Sequence, residues 1–67
     1  MVTIETAEKF KDQRVLAHTD DVILTGALIA HGPILDGGEH AIVVVNDRGD
    51  TYILTLRSLL LIEKAGK

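Results

Sequence analysis

His31 and His40 lie on either side of a segment that also carries Asp36 and Glu39, and imidazoles interleaved with carboxylates are the side chains that hold zinc and other transition metals. A hairpin would gather the four, but their spacing matches no known ligand set, so solvated loop residues are the preferred reading and no metal or cofactor is assigned. Arg57 follows an apolar run. A guanidinium there can stack on a nucleobase while forking onto a phosphate, and a salt bridge to a neighbouring subunit's carboxylate explains it equally well. Gly37-Gly38 could aim backbone N–H groups at a phosphate, yet no Lys-Ser/Thr follows and no strand-to-helix junction surrounds it, so it reads as a flexible turn. Catalysis finds little to work with: there is no cysteine, and Ser58, the only serine, has no histidine near it in sequence. The chemistry-bearing residues therefore point to non-catalytic binding, with Arg57, His31, His40, Asp36 and Glu39 as candidate ligand contacts.

Positioning these residues falls to a short helix and a series of strands. Thr3 or Thr6 can cap a helix over about Glu5 to Gln13, with Ile4, Ala7, Phe10 and Lys11 on one face. Strands are expected over Arg14 to His18, Val22 to His31, Ala41 to Val45, Thr51 to Leu56 and Leu59 to Ile62. Between them lie the polar turns at Thr19-Asp20-Asp21 and Asn46 to Asp50, the Gly/Pro-rich loop 32–38 and the short turn Arg57-Ser58. His18, beside the first of these turns, reads as a turn residue. Gly26 interrupts the long second strand, where a glycine marks a sharp bend or a close backbone approach. Alternation places Tyr52, Leu54 and Leu56 on one side of the fourth strand and Thr51, Ile53, Thr55 and Arg57 on the other. Tyr52 and Phe10, the only aromatic residues, are expected in the core. Long single-stranded nucleic acid needs successive stacking faces, so this scarcity favours a short or small ligand.

The 67 residues form one domain, 1–67, whose single core is marginal against chain entropy. With no cysteine available for disulfides or thiolate metal sites, oligomerisation is the remaining support. Leu59-Leu60-Leu61-Ile62 gives the same indication: strict alternation points Leu59 and Leu61 one way and Leu60 and Ile62 the other, and a small domain has only one interior. All four are therefore candidate interface residues. Ten acidic against seven basic residues give a net charge of −3, which weighs against strong nonspecific attachment to a phosphate backbone. No apolar run has the length of a membrane span, and Glu5, Glu8 and Asp12 stand where a signal peptide would be basic and then apolar, so a cytoplasmic protein with no membrane partner is expected.

One helix followed by five strands resembles the Sm and Sm-like small β-barrels. The stretch VLAHTDDVILTGALIA, Val15 through Ala30, is similar to the first Sm motif, with Gly26 and Leu28 as its Gly-x-Leu. LTLRSLLLI, Leu54 to Ile62, is similar to the second, with Arg57 in place of the family's Arg and Ser58 where the family has Gly. The family's RNA-pocket Asp and Asn are not retained; His31 and His40-Ala41 stand near those positions. The resemblance implies a mainly β fold, a short N-terminal helix followed by a five-stranded, strongly bent antiparallel SH3-like or Sm-like barrel. It also implies a ring in which the strands before and after the Arg turn pair with neighbouring subunits. The functional expectation is a homo-oligomer holding RNA or a small nucleotide in repeated inter-subunit pockets, with a nucleotide-sequestering accessory role as one form of it. The competing expectation is a structural or adaptor protein that contacts another protein through exposed aliphatic strand faces.

Overall fold

A computed structural model describes residues 2–34 and 38–66. The order of elements is α1 (Ile4–Lys9), β1 (Arg14–Thr19), β2 (Ile23–Pro33), β3 (His40–Val45), β4 (Thr51–Thr55), a 3-10 turn (Leu56–Ser58) and β5 (Leu59–Lys64). The chain is mainly β, with one short helix and one five-stranded antiparallel sheet in the order β4-β3-β2-β1-β5. The sheet is not closed into the expected barrel. β4 and β5 stand at its opposite edges, and among the described residues no strand pairing joins them.

Helix α1 starts where a cap can form: Thr3 Oγ1 accepts a hydrogen bond from the Thr6 backbone N–H at 3.2 Å. It ends at Lys9, short of the expected Gln13. Backbone bonding to the sheet takes over there, since the Asp12 N–H donates to Leu28 O at 2.7 Å and the Leu28 N–H donates to Gln13 O at 3.0 Å. Asp12 itself has φ 67°, a left-handed conformation that Asp tolerates better than most residues and that no helix can continue through. Ala7 is fully buried and Phe10 packs against the core, whereas Ile4 is left half exposed.

Ten apolar residues from every part of the chain make the core, with Leu28, Ile42, Val15 and Val44 as its largest fully buried side chains. No polar side chain is buried among the described residues. Gly26 sits where β2 and β3 come closest. A Cβ on it would lie 2.4 Å from the carbonyl oxygen of Val45 and 2.9 Å from Val44 Cγ1, so only glycine lets β3 approach β2 this closely. The tip between β3 and β4 is built by Asn46, whose side-chain oxygen accepts from the N–H groups of Arg48 and Asp50, and by Gly49 at φ 87°.

Two register shifts decide which side chains face inward. Leu28 pairs with Val44 and Ala30 with Val43, which leaves Ile29 as an extra residue on β2. His18 pairs with Leu61 and Thr19 with Leu59, which leaves Leu60 as an extra residue on β5. Each β-bulge reverses the alternation beyond it. Strict alternation along Leu59 to Ile62 is thereby corrected: Leu59 and Ile62 are buried, at 3% and 8% exposure, and Leu60 and Leu61 both face outward, at 60% and 44%. Along β4 and into the turn after it the expected sides hold, with Ile53 exposed on β4 and Leu56 buried in the turn, but Tyr52 stays outside the core on this edge strand.

Candidate functional site

The bulge at Ile29 brings the two sequence-identified histidines together. Leu28 faces the core opposite Val44; unbroken alternation would send His31 to the outer face. The extra residue instead sets His31 opposite Ile42, on the side of the sheet that β3 presents with His40, Ile42 and Val44. His31 and His40 become diagonal neighbours across the hairpin, with His31 Nδ1 2.8 Å from His40 Nε2 and ring centroids 5.1 Å apart. Both rings are half-buried. Exchanging one proton-bearing nitrogen and one lone pair satisfies both without a water.

Arg57 and Glu39 meet next to this pair. The 3-10 turn after β4 carries Arg57, and the residue before β3 is Glu39; the Arg57 Nη1 donates to Glu39 Oε2 at 2.9 Å. The Arg57 side chain is 75% exposed, so the pair contributes little to stability. The carboxylate that Arg57 contacts in the single chain is its own Glu39. The hairpin behind Glu39 is closed by the Ile34 N–H donating to Glu39 O at 2.6 Å and the Gly38 N–H donating to Ile34 O at 2.8 Å, with Gly38 at φ 69°. Asp36 and Gly37 lie outside the described residues.

Two depressions flank the histidines. One of about 330 Å³ is lined by Val2, Thr3, Ile4, Glu39, His40, Leu56 and Arg57. Its floor is carbon from Val2, Ile4 and Leu56, and its charged groups are Arg57 and Glu39. The other, about 380 Å³, lies against Ala30, His31, Gly32, Pro33, Ile34, Ala41, Val43 and Ile53. His40 borders the first and His31 the second, so the pair stands between them. Four of the five candidate contacts, Arg57, His31, His40 and Glu39, are thus gathered at one end of the sheet. The contribution of Val2, Ile4 and Leu56 was missed from sequence, where nothing shows that the start of the chain folds back beside the turn after β4.

The third histidine lies elsewhere. His18 belongs to β1 rather than to the turn after it, and its Nε2 is 2.6 Å from Glu63 Oε2 on β5. At the far side of the sheet Arg14 makes two hydrogen bonds to Asp47, at 2.6 and 2.9 Å. That hydrogen bonding, and then the charge of the guanidinium, holds the Asp47 carboxyl below the usual carboxylate range and raises Arg14 further. Among the described residues no group of three or more His, Cys, Asp or Glu side chains is placed to hold a metal ion, and no helix is long and apolar enough to cross a membrane.

Comparison with protein-family models, curated proteins and solved structures yields no match.

Proposed function

We propose that the chain is a non-catalytic binding protein that assembles with copies of itself as an Sm-like ring and holds a small nucleotide or a short RNA segment in the repeated pockets beside Arg57. The observation that carries this reading is the 330 Å³ depression: an apolar surface with Arg57 and His40 among its lining residues. A flat, apolar base edged by polar atoms suits such a floor, and Arg57 suits the phosphate or the face of the base. The volume is at the small end for ligand sites, which favours one nucleotide over a long strand.

Assembly draws its support from the sheet edges. Among the described residues β4 and β5, the strands on either side of the Arg57 turn, are the two without a second partner, and each carries outward aliphatic side chains: Ile53 at 65% exposure on β4, Leu60 and Leu61 on β5. Open apolar edges invite strand pairing with another chain, and a closed ring satisfies every such edge at once. Leu60 and Leu61 are the interface residues in this reading, while Leu59 and Ile62 serve the subunit's own core.

An adaptor function, with the same aliphatic faces docking a different protein, is favoured by one observation: Glu39 already neutralises Arg57. Native mass spectrometry of protein purified from its source separates the two by reporting subunit number and any small molecule retained. A ring carrying nucleotide is the expected result. A stable monomer at micromolar concentration in light scattering overturns the ring and the repeated pockets with it.

A further inference from the structure

We infer that His31 and His40 form a two-imidazole chelate for a divalent late first-row metal ion, with copper(II) the best match and nickel(II) next. The starting observation is proximity. His31 Nδ1 and His40 Nε2 face each other at 2.8 Å from adjacent antiparallel strands, their rings tilted by 38°. A metal about 2.0–2.1 Å from each nitrogen holds them about 2.9 Å apart at a right angle and about 3.3 Å apart at a tetrahedral angle. The observed 2.8 Å is a hydrogen-bond length that lies nearer the right-angle spacing than the tetrahedral one, so a tetragonal ion asks for the smaller ring movement, and copper(II) heads the affinity order of the divalent ions for imidazole.

The exchange of hydrogen bond for metal needs no oxidant and no net proton change in the neutral pair. The shared proton sits on one of the facing nitrogens; that ring shifts to its other tautomer, placing the proton on its outer nitrogen, and both facing nitrogens then present lone pairs. The backbone need not move, because both histidines are set by strand pairing on either side of the hairpin. Glu39, next in sequence to His40, is engaged by Arg57 and is not counted as a ligand. No third protein donor completes the set among the described residues, so the remaining coordination positions go to water. Both flanking depressions give that water access.

The test uses the whole chain freed of metal by chelator and titrated with copper(II) sulfate, followed by electron paramagnetic resonance and by NMR of the imidazole protons. One equivalent per chain is expected, with hyperfine splitting from two imidazole nitrogens, and with the His31 and His40 signals broadened before that of His18. H31A and H40A should each weaken binding by about tenfold or more, as the loss of one arm of a chelate requires, while H18A leaves it unchanged. Copper that shows no two-nitrogen pattern in the unsubstituted protein, or that broadens His18 first, overturns the inference. That readout stands even where a histidine variant fails to fold. Copper affinity in folded H31A or H40A equal to that of the unsubstituted chain overturns it as well.

Discussion

The hairpin of β2 and β3 and the edge formed by β1 and β5 contain the same backbone irregularity and put it to opposite use. At Ile29 the extra residue turns a polar side chain, His31, toward the inner side of the sheet, where His40 meets it. At Leu60 the extra residue turns an apolar side chain, Leu61, away from the core to stand beside another. One bulge makes a small polar cluster at the end of the sheet; the other makes an aliphatic edge. In a chain this short, the position of an extra residue does as much as side-chain type to decide which side chains turn inward and which are exposed.

The sharpest contrast lies between neighbours on β5. Ile62→Ala should cost about 2–5 kcal/mol in urea unfolding because it opens a cavity in the core, whereas Leu61→Ala should leave subunit stability within about 0.5 kcal/mol. Equal losses at the two positions would mean that the bulge at Leu60 is not maintained in solution. For the edge as a whole, replacing Leu60 and Leu61 together by lysine should remove about 1.5–3 kcal/mol of apolar burial per side chain from any assembly, and light scattering should report monomers that retain their β circular dichroism.

On the hairpin side, Gly26→Ala should destabilise by about 1–3 kcal/mol, since the new methyl group must push the Val45 carbonyl away. Thermal unfolding would show it, together with weakened His31–His40 contacts in NMR spectra if the close approach sets the strand curvature. Arg57→Ala should change stability by no more than about 1 kcal/mol while abolishing nucleotide binding in equilibrium dialysis; retained binding would move the pocket's cation elsewhere. The smallest effect concerns Asp47. Its carboxyl is lower in the folded chain than in the unfolded one, so its contribution is present above the unfolded value and fades as pH falls through the folded value. Melting curves between about pH 5 and pH 2 should therefore fall less steeply for Asp47→Asn than for the native chain.

Much of this architecture is legible in the sequence because its turns have distinctive chemistry. Asn46 to Gly49, Thr19 to Asp21 and the glycine-rich loop separate the strands, and Gly26 signals close approach through the absence of a side chain. What alternation cannot reveal is a change of phase. Ile29 and Leu60 look like any other strand residue, and only the pairing partner on the next strand shows that they are supernumerary. The early end of α1 is hidden for a related reason: residues Phe10 to Gln13 have helical spacing, but the hydrogen bonds that capture Asp12 and Gln13 come from Leu28, distant in sequence. The gathering of Glu39 and the two histidines could be anticipated from the loop they flank, whereas Arg57 reaches them from the turn after β4. The apolar floor beneath them could not, since Val2 and Leu56 are joined only by the tertiary fold.

The strand order also carries a kinetic consequence. β1 to β4 form a meander in which each strand pairs with the one before it, whereas β5 must cross back to lie beside β1, so that Val15 meets Lys64. Closing the long loop between them should be the entropically demanding step of folding, after the local hairpins have formed. Amide exchange should consequently be slowest in β2 and β3 and fastest, among the strands, in β5. A neighbour that clasps β5 would slow its exchange, making the last strand to dock the most sensitive reporter of assembly.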